Sequence, residues 1–537
     1  MSTIIRALLL IIAWAIFINP LYAETDTPDV NTLLIQAKQH IKEWDIGNAE
    51  ETAVRAFELA ANDQDKSQSY YLRSIVEFYK GNYQTAEEYG KKAIDLGLPE
   101  AESDLLRFIL SAANNIPEFN EARTEHFIIR YAHPKDAIIA HYGKDVLEKS
   151  HFEIGLDLQT YPEVPVIVEI YPDMESFTLA STLPAESVKN TGVVGICKFN
   201  RIMVLSPRLL PKGYTWADTL AHEYTHYLVF LRSGNTMPVW LHEGIAKFQE
   251  NRWNNQNRDV LSPFYETILA RALKDGSLVP IEKMHPSLAL LDSAHEAQLA
   301  FGQASSTVSF MVERWGDDSI TDLMVAVREK GDYKAAIKKV TGLEFQEFYQ
   351  SWKEYLHSKE LKEVIPGIKV KGIRISNNED KPSDDSEDLI EIDNVRARDY
   401  TRLGDLLRSR GRLRPAAFEY EQALGYDPYS PIISSRLSSA LYSSGEYKRA
   451  RQVIDPLLIL YPDHMDILMT LARIYLLEGN LNKAEQAFLN ANTINPFDPE
   501  IHLALVKIYN AQGKEDLTNS EKSVLEILLN EDKEIEH

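Results

Sequence analysis

The stretch Ala221-His222-Glu223-Tyr224-Thr225-His226-Tyr227-Leu228, followed by Trp240-Leu241-His242-Glu243-Gly244-Ile245-Ala246, decides how this chain is read. Its first half is H-E-x-x-H. Residues at i and i+4 share one face of an α-helix. His222 and His226 therefore point the same way, and two imidazole nitrogens at that spacing can hold one Zn²⁺. Glu223 sits one residue round from His222, beside a metal rather than on it, where a general base for water activation belongs. The flanks predict a helix. Thr215 and Asp218 fit a capping box, and Trp216, Leu220, Ala221, Thr225, Leu228 and Val229 fall at helical apolar spacing. Gly234 suits the residue past the helix end, and Pro238 the entry to a second helix. Glu243 lies 17 positions after His226, inside that second helix. A helix, a tight turn and a returning helix can bring Glu243 back as a third ligand, leaving one position for water. The bland alternative is a surface helix with two solvated histidines. The capped helix, its apolar flanks and the second block argue against it.

H-E-x-x-H followed at this distance by W-L-x-E-G-x-A resembles the gluzincin metallopeptidases, and specifically the bacterial peptidase-MA-like domains, over roughly residues 117–360. The resemblance implies one Zn²⁺ held by His222, His226 and Glu243, with Glu223 as general base. Two positions depart from the pattern. Thermolysin-type members carry a supporting acid four positions after the ligand glutamate, where this chain has Lys247. Many relatives have a tyrosine in an A-Y-x-x-S segment, and the similar segment here is Ala300-Phe301-Gly302-Gln303-Ala304-Ser305.

The chain has 537 residues, which predicts several domains, and its 44% apolar fraction is enough to bury their cores. A net charge of −23 argues against nucleic acid and against adsorption to anionic lipid. Residues 1–23 read as a secretory signal peptide. Arg6 is the positive region, Ala7–Ile18 is an apolar run short for a bilayer span, and Leu21-Tyr22-Ala23 is a cleavage site. An uncleaved anchor is the alternative. The only cysteine is Cys197, so no internal disulfide is expected, and a bacterial periplasm fits. After cleavage no stable membrane span is expected.

Residues 24–116 read as helical. Gly47-Asn48-Ala49 with Ala53 and Ala56, and Gly81-Asn82-Tyr83 with Ala86 and Ala93, place small residues at hairpin crossings. The second set resembles a degenerate tetratricopeptide (TPR) repeat. From Pro117 the texture changes. Phe127–Tyr131, Val164–Tyr171, Gly192–Ile196 and Arg201–Leu205 read as strands, with a helix over about 137–156 between the first two. In the gluzincin resemblance an edge strand at 192–205 pairs with extended substrate. Helices are expected over Phe264–Leu273, Ala294–Trp315, Ser319–Val327 and Leu343–Ser358. Tyr214, Tyr265, His242 and His295 are candidates for stabilising an oxyanion beside the metal. A short strand at Ile368–Ile375 and a solvated acidic linker at Asn377–Asp388 follow.

Gly411, Gly445, Gly479 and Gly513 recur at intervals of 34, as do Ala416, Ala450 and Ala484, and Pro428, Pro462 and Pro496. This period, with Leu403-Gly404, Tyr420 and Ala423 in the first unit, resembles the TPR family. Three full units and a partial fourth are expected, with closing helices from Lys514. TPR grooves bind peptides or partner proteins, which the resemblance implies here.

The expected architecture is thus multidomain: an α+β gluzincin-type metallopeptidase domain flanked by all-α TPR-like regions. Its parts are a signal peptide (1–23), a helical degenerate TPR-like region (24–116), the peptidase-MA-like zinc domain (117–360), an acidic linker (361–394) and a TPR array (395–531). The expected function is hydrolysis of a protein or peptide substrate by an exported zinc enzyme, with a protein partner in the TPR groove. The rival is a catalytically silent TPR scaffold or assembly factor in the cell envelope.

Overall fold

A computed structural model describes residues 29–99, 103–185, 188, 192–254, 261–285, 287–288, 291–365, 368 and 388–529. The signal-peptide reading, the strand read at 368–375 and most of the acidic linker lie outside the described residues. Contacts divide the chain into two compact units, Met1–Ala113 and Asn114–His537.

The first unit is a run of helices: Val30–Lys42, Ile46–Leu59, Asp63–Tyr79, Tyr83–Asp95 and the start of Ser103–Asn115. Asp29 and Asn62 cap their helices by accepting the Thr32 and Asp65 amides. Ala49, Ala53, Ala56, Ala86 and Ala93 are fully buried at the crossings, as their small size predicts. A Cβ on Gly90 would stand 2.7 Å from Leu106 Cδ1, so a larger residue there would make that side chain shift.

The second unit opens with a five-stranded sheet of order β1-β2-β3-β5-β4. The strands are β1 (Asn120–Arg123), β2 (Phe127–Tyr131), β3 (Val166–Tyr171), β4 (Gly195–Lys198) and β5 (Arg201–Leu205). Both outer pairs are antiparallel, and β2, β3 and β5 run parallel, with Phe127 opposite Val166 and Ile167 opposite Arg201. Parallel strands need a crossover, and the helix Ala137–Leu158 supplies it between β2 and β3. β3 and β5 are almost wholly buried, which explains their largely apolar, non-alternating sequences. Glu169 on β3 is fully buried and accepts from Arg201, Arg130 and the Tyr171 hydroxyl.

The strand read at 192–196 begins later, at Gly195, and runs to Lys198. Phe199 and Asn200, both at positive φ, form the two-residue turn that fixes its pairing with β5. β4 is thereby an edge strand.

The helices that follow are Trp216–Ser233, Val239–Gln249, Pro263–Asp275, Ala294–Trp315, Asp318–Lys330, Tyr333–Thr341 and Phe345–Ser358. Tyr333–Thr341 is short and was not foreseen. One core joins the sheet to these helices through residues such as Phe127, Val168, Leu220, Tyr224, Leu241, Val308 and Trp352.

Residues 395–529 form four helix hairpins: Val395–Ser409 with Leu413–Leu424, Pro431–Ser443 with Tyr447–Leu460, Met465–Leu477 with Leu481–Asn492, and Pro499–Ala511 with Glu515–Leu529. The recurring glycines each turn a hairpin, with φ between 70° and 83°. The recurring alanines are fully buried where helices cross.

This array packs on the sheet-and-helix half of the same unit. The Trp216 indole N–H donates to the Asn492 carbonyl at 2.9 Å, and the Tyr214 amide donates to Ile494 at 3.1 Å. Lys212 bridges Asp388 and Asp466. The Tyr142 hydroxyl donates to Glu521, which is buried with His502.

Candidate metal centre

The helix Trp216–Ser233 ends at Gly234, whose φ of 63° is the left-handed stop expected of it. Its start differs from expectation. Thr215 is the N-cap residue but makes no side-chain cap, and the Asp218 carboxylate accepts from the Trp253 indole at 2.7 Å instead of reaching back to the N-cap. The returning helix begins after Pro238 and carries Glu243. Gly244 makes that return possible: a Cβ there would stand 2.6 Å from the Ala304 carbonyl oxygen. The Ala300–Ser305 segment thus supports the site from behind. Gln303 adds a buried double hydrogen bond to the Val279 main chain.

The structure brings His222, His226 and Glu243 together, with one ligand atom from each all within 4.8 Å of one another. The two Nε2 atoms lie 3.4 and 3.3 Å from the same Glu243 oxygen, Oε2. The opposite ring nitrogens face other partners. His222 Nδ1 is 3.4 Å from Glu250 Oε2, and His226 Nδ1 is 2.6 Å from His242 Nδ1. Two imidazoles and a carboxylate are a zinc donor set, and each ring turns one nitrogen toward the shared centre. Glu223 is buried beside them, and its Oε2 has no hydrogen-bond partner among the described residues. The residues present therefore fit a divalent cation with an acid at its side.

The electrostatics follow from burial and pairing. Burial works against the His222 imidazolium, but Glu243 and Glu250 outweigh it and push its pKa up to about 10. Burial raises the Glu243 carboxyl, yet His226 and His222 pull it well below the usual range. Burial also raises Glu223, against the opposing pull of His226 and His222. His242 falls to about 3, through burial first and then the neighbouring His226.

Gly195 of β4 passes directly over Glu223. A Cβ there would lie 2.8 Å from Glu223 Oε1 and 2.8 Å from Thr219 Cγ2.

The four oxyanion candidates separate. The Tyr214 hydroxyl is spent on the Leu205 carbonyl, and the Tyr265 hydroxyl on Gln298. His242 holds His226. His295 lies half-buried in the first turn of its helix. Sequence reasoning missed Glu250, seven positions past Glu243. Its signal was helical spacing, since i and i+7 share a face.

Residues 144–358 are a Peptidase MA superfamily domain. Tetratricopeptide repeats match at residues 401–455 and 435–499. A search of curated proteins finds no match. Among solved structures, native yeast LTA4 hydrolase is 12% identical, covering 77% of this chain and 67% of its own, with a TM-score of 0.28. The MamA protein is 17% identical, covering 25% and 72%, with a TM-score of 0.23. The two family matches are those of a peptidase-like protein with tetratricopeptide repeats, a repeat class associated with protein–protein interaction. No described helix is long and apolar enough to cross a membrane.

Proposed function

We propose that this chain is an exported zinc metallopeptidase of the gluzincin type, working on protein or peptide substrates. The observation that carries the reading is the meeting of His222, His226 and Glu243 at one point, with Glu223 buried alongside. Zn²⁺, when bound, supplies a Lewis acid that polarises a scissile carbonyl and lowers the pKa of water. Glu223 takes a proton from the attacking water and passes it to the leaving amine nitrogen. Its raised pKa suits a group that must hold that proton between the two transfers. Its partnerless Oε2 is the atom available for the work.

The edge position of β4 supports an extended substrate. A peptide added to this edge gains main-chain hydrogen bonds that ignore its sequence. Gly195 beside Glu223 would bring such a strand close to the base. The repeat array would recruit the substrate or a partner protein. The apolar run at Ala7–Ile18 and the single cysteine support export to a periplasm.

The rival reading, a silent scaffold, rests on Lys247 and Phe301 at positions where active relatives differ. The test is cleavage of an unfolded protein such as casein by the purified chain and by Glu223→Gln, with zinc measured in both. Equal zinc and a loss of at least about 100-fold in the variant support the peptidase. Zinc bound in both with no cleavage by either favours the scaffold, and no zinc in either overturns the reading.

A further inference from the structure

The 34-residue recurrence lets the four hairpins of the array be compared position by position. Leu403 recurs as Leu437, Leu471 and Leu505, and Leu406 as Ala440, Ile474 and Ile508. All the later residues are buried, at 2% exposure or less, whereas Leu403 is 43% and Leu406 49% exposed. The reason is positional. The second helix of each hairpin packs on the first helix of the next, as Leu413–Leu424 does on Pro431–Ser443. The helix Val395–Ser409 opens the array and follows no such hairpin. Its inner face, with Ala397, Thr401 and Gly404, is buried. Terminal repeats of a solenoid ordinarily carry a polar outer face. This one presents the apolar pair that its successors cover.

Arginines frame that pair. Seven arginines and no lysine fall between Arg396 and Arg414, against two acids, Asp399 and Asp405, in a chain of net charge −23. Arg402, Leu406 and Arg410 follow one another at four-residue steps and so share one stripe of the helix. Asp399 is exposed one turn before Leu403. Arg402, Arg410 and Arg412 are exposed, and no carboxylate among the described residues pairs with them. The helix dipole accounts for Arg410, at the C-cap of Val395–Ser409. It does not account for Arg402 in mid-helix, and it opposes Arg412, the N-cap residue of Leu413–Leu424, which makes no side-chain cap. The matching positions in the next two hairpins are Glu446 and Asn480. Local stability therefore does not explain the cluster.

We propose that the outer face of this first hairpin docks an acidic amphipathic helix of another protein, with aspartate or glutamate beside an apolar stripe. The later hairpins show what fills this position, since each covers it with a helix. The arginines select the charge: a guanidinium fork matches a carboxylate, and pairs of this kind are charge-assisted. Screening confines the attraction to about 10 Å at 0.1 M salt, so a single helix meets the local positive patch, whereas an extended anionic bilayer meets the acidic chain as a whole. The face lies at the end of the array and leaves its groove untouched. The proposal goes beyond the peptidase reading and holds whether or not the metal site is active.

The test titrates the full-length protein against two fluorescein-labelled helix-forming peptides of about 20 residues, long enough for the helix to persist. One carries leucine at every third and fourth position flanked by glutamate, and the other has lysine for each glutamate. Anisotropy is read at low and at high salt. The acidic peptide should bind, more weakly at high salt, and the lysine peptide should not. Arg402→Glu combined with Arg410→Glu should weaken the acidic peptide at least about tenfold. Leu403→Ser combined with Leu406→Ser should weaken it at both salt concentrations. Arg55→Glu, at an exposed arginine of the first unit, makes a comparable charge change elsewhere and should leave binding as in the parent. No binding of the acidic peptide by the parent, or equal binding by the double arginine variant, would overturn the proposal. So would adsorption to phosphatidylserine vesicles, or a concentration-dependent dimer, that the arginine substitutions abolish, because the occupant would then be a membrane or a second copy of the chain.

Discussion

Replacing Gly213 by alanine should loosen the repeat array from the peptidase domain, by an amount the structure sets. Gly213 has a φ of 71°, and a Cβ there would stand 2.1 Å from the main-chain oxygen of Ile494. That oxygen accepts the Tyr214 amide at 3.1 Å, and both residues are buried. Two penalties act. An L-residue in the left-handed region costs about 1–2 kcal/mol. The overlap is relieved only by moving the 494 loop, which breaks the Tyr214 bond, and stranding buried polar groups costs about 1–3 kcal/mol. The total is about 2–5 kcal/mol. Gly276 is the matched control. Its φ is 64°, and nothing lies within 4 Å of where its Cβ would be, so Gly276→Ala carries the first penalty alone. Native-state hydrogen exchange reports on the two segments separately, and the denaturant midpoint reports on the whole. Gly213→Ala should speed exchange at residues 213–214 and 492–495 and lower the midpoint further than Gly276→Ala. Equal midpoints, with exchange at 492–495 unchanged, would refute the argument that this contact holds the array in place.

Three further perturbations test other parts of the structure. Gly195→Val should displace Glu223, because a Cβ already lies 2.8 Å from its Oε1; proteolytic rate should fall by tenfold or more, on the order of one mispositioned general base, while zinc content holds. The same rate in the variant would remove β4 from the site. The Asp218 carboxyl is pushed up to about 8, by burial first and then by Glu250. The folded metal-free chain then holds a proton that the unfolded chain releases near 3.8, so this group's contribution is full below that pH and is lost as pH rises toward 8. Asp218→Asn should flatten the fall in denaturant midpoint across that window, and an unaltered slope counts against it. His502 is fully buried, with Nε2 on the Pro496 carbonyl at 2.8 Å and Nδ1 on Glu521 at 2.7 Å. His502→Ala removes one of the partners of the buried Glu521, leaving the Tyr142 hydroxyl, and should cost about 1–3 kcal/mol, partly recovered by adding Glu521→Gln, and a calorimetric unfolding series measures both.

What the sequence made legible was local. The spacing of His222 and His226, the stop at Gly234 and the 34-residue recurrence of glycine are short-range geometry, and each returns as a helix face, a left-handed cap or a hairpin turn. What escaped depended on partners distant in the chain. Asp218 reads as a cap until Trp253, 35 residues on, claims its carboxylate. His242 reads as an oxyanion donor until the returning helix sets it against His226. Lys247 reads as a lost support because a one-dimensional pattern checks one position, whereas a helix face offers the next turn as well, where Glu250 stands. The helix Tyr333–Thr341 has only nine residues, too few for its apolar spacing to rise above the background.

The docking of the array was the least legible feature, and it changes what the repeats can do. A tethered arm would raise the local concentration of substrate and leave the search for the cleft to diffusion. An array fixed through Trp216, Tyr214 and Lys212 holds its loops at one distance from the helix that carries the two histidines. The loop between Tyr447–Leu460 and Met465–Leu477 carries Asp463. Its Asp463 carboxyl is raised by burial and lies within the electrostatic field of Lys247 and Glu250. Asp463 thus faces the Lys247–Glu250 pair, and Glu250 in turn stands beside His222. A substrate held on such an array would meet the cleft in one orientation.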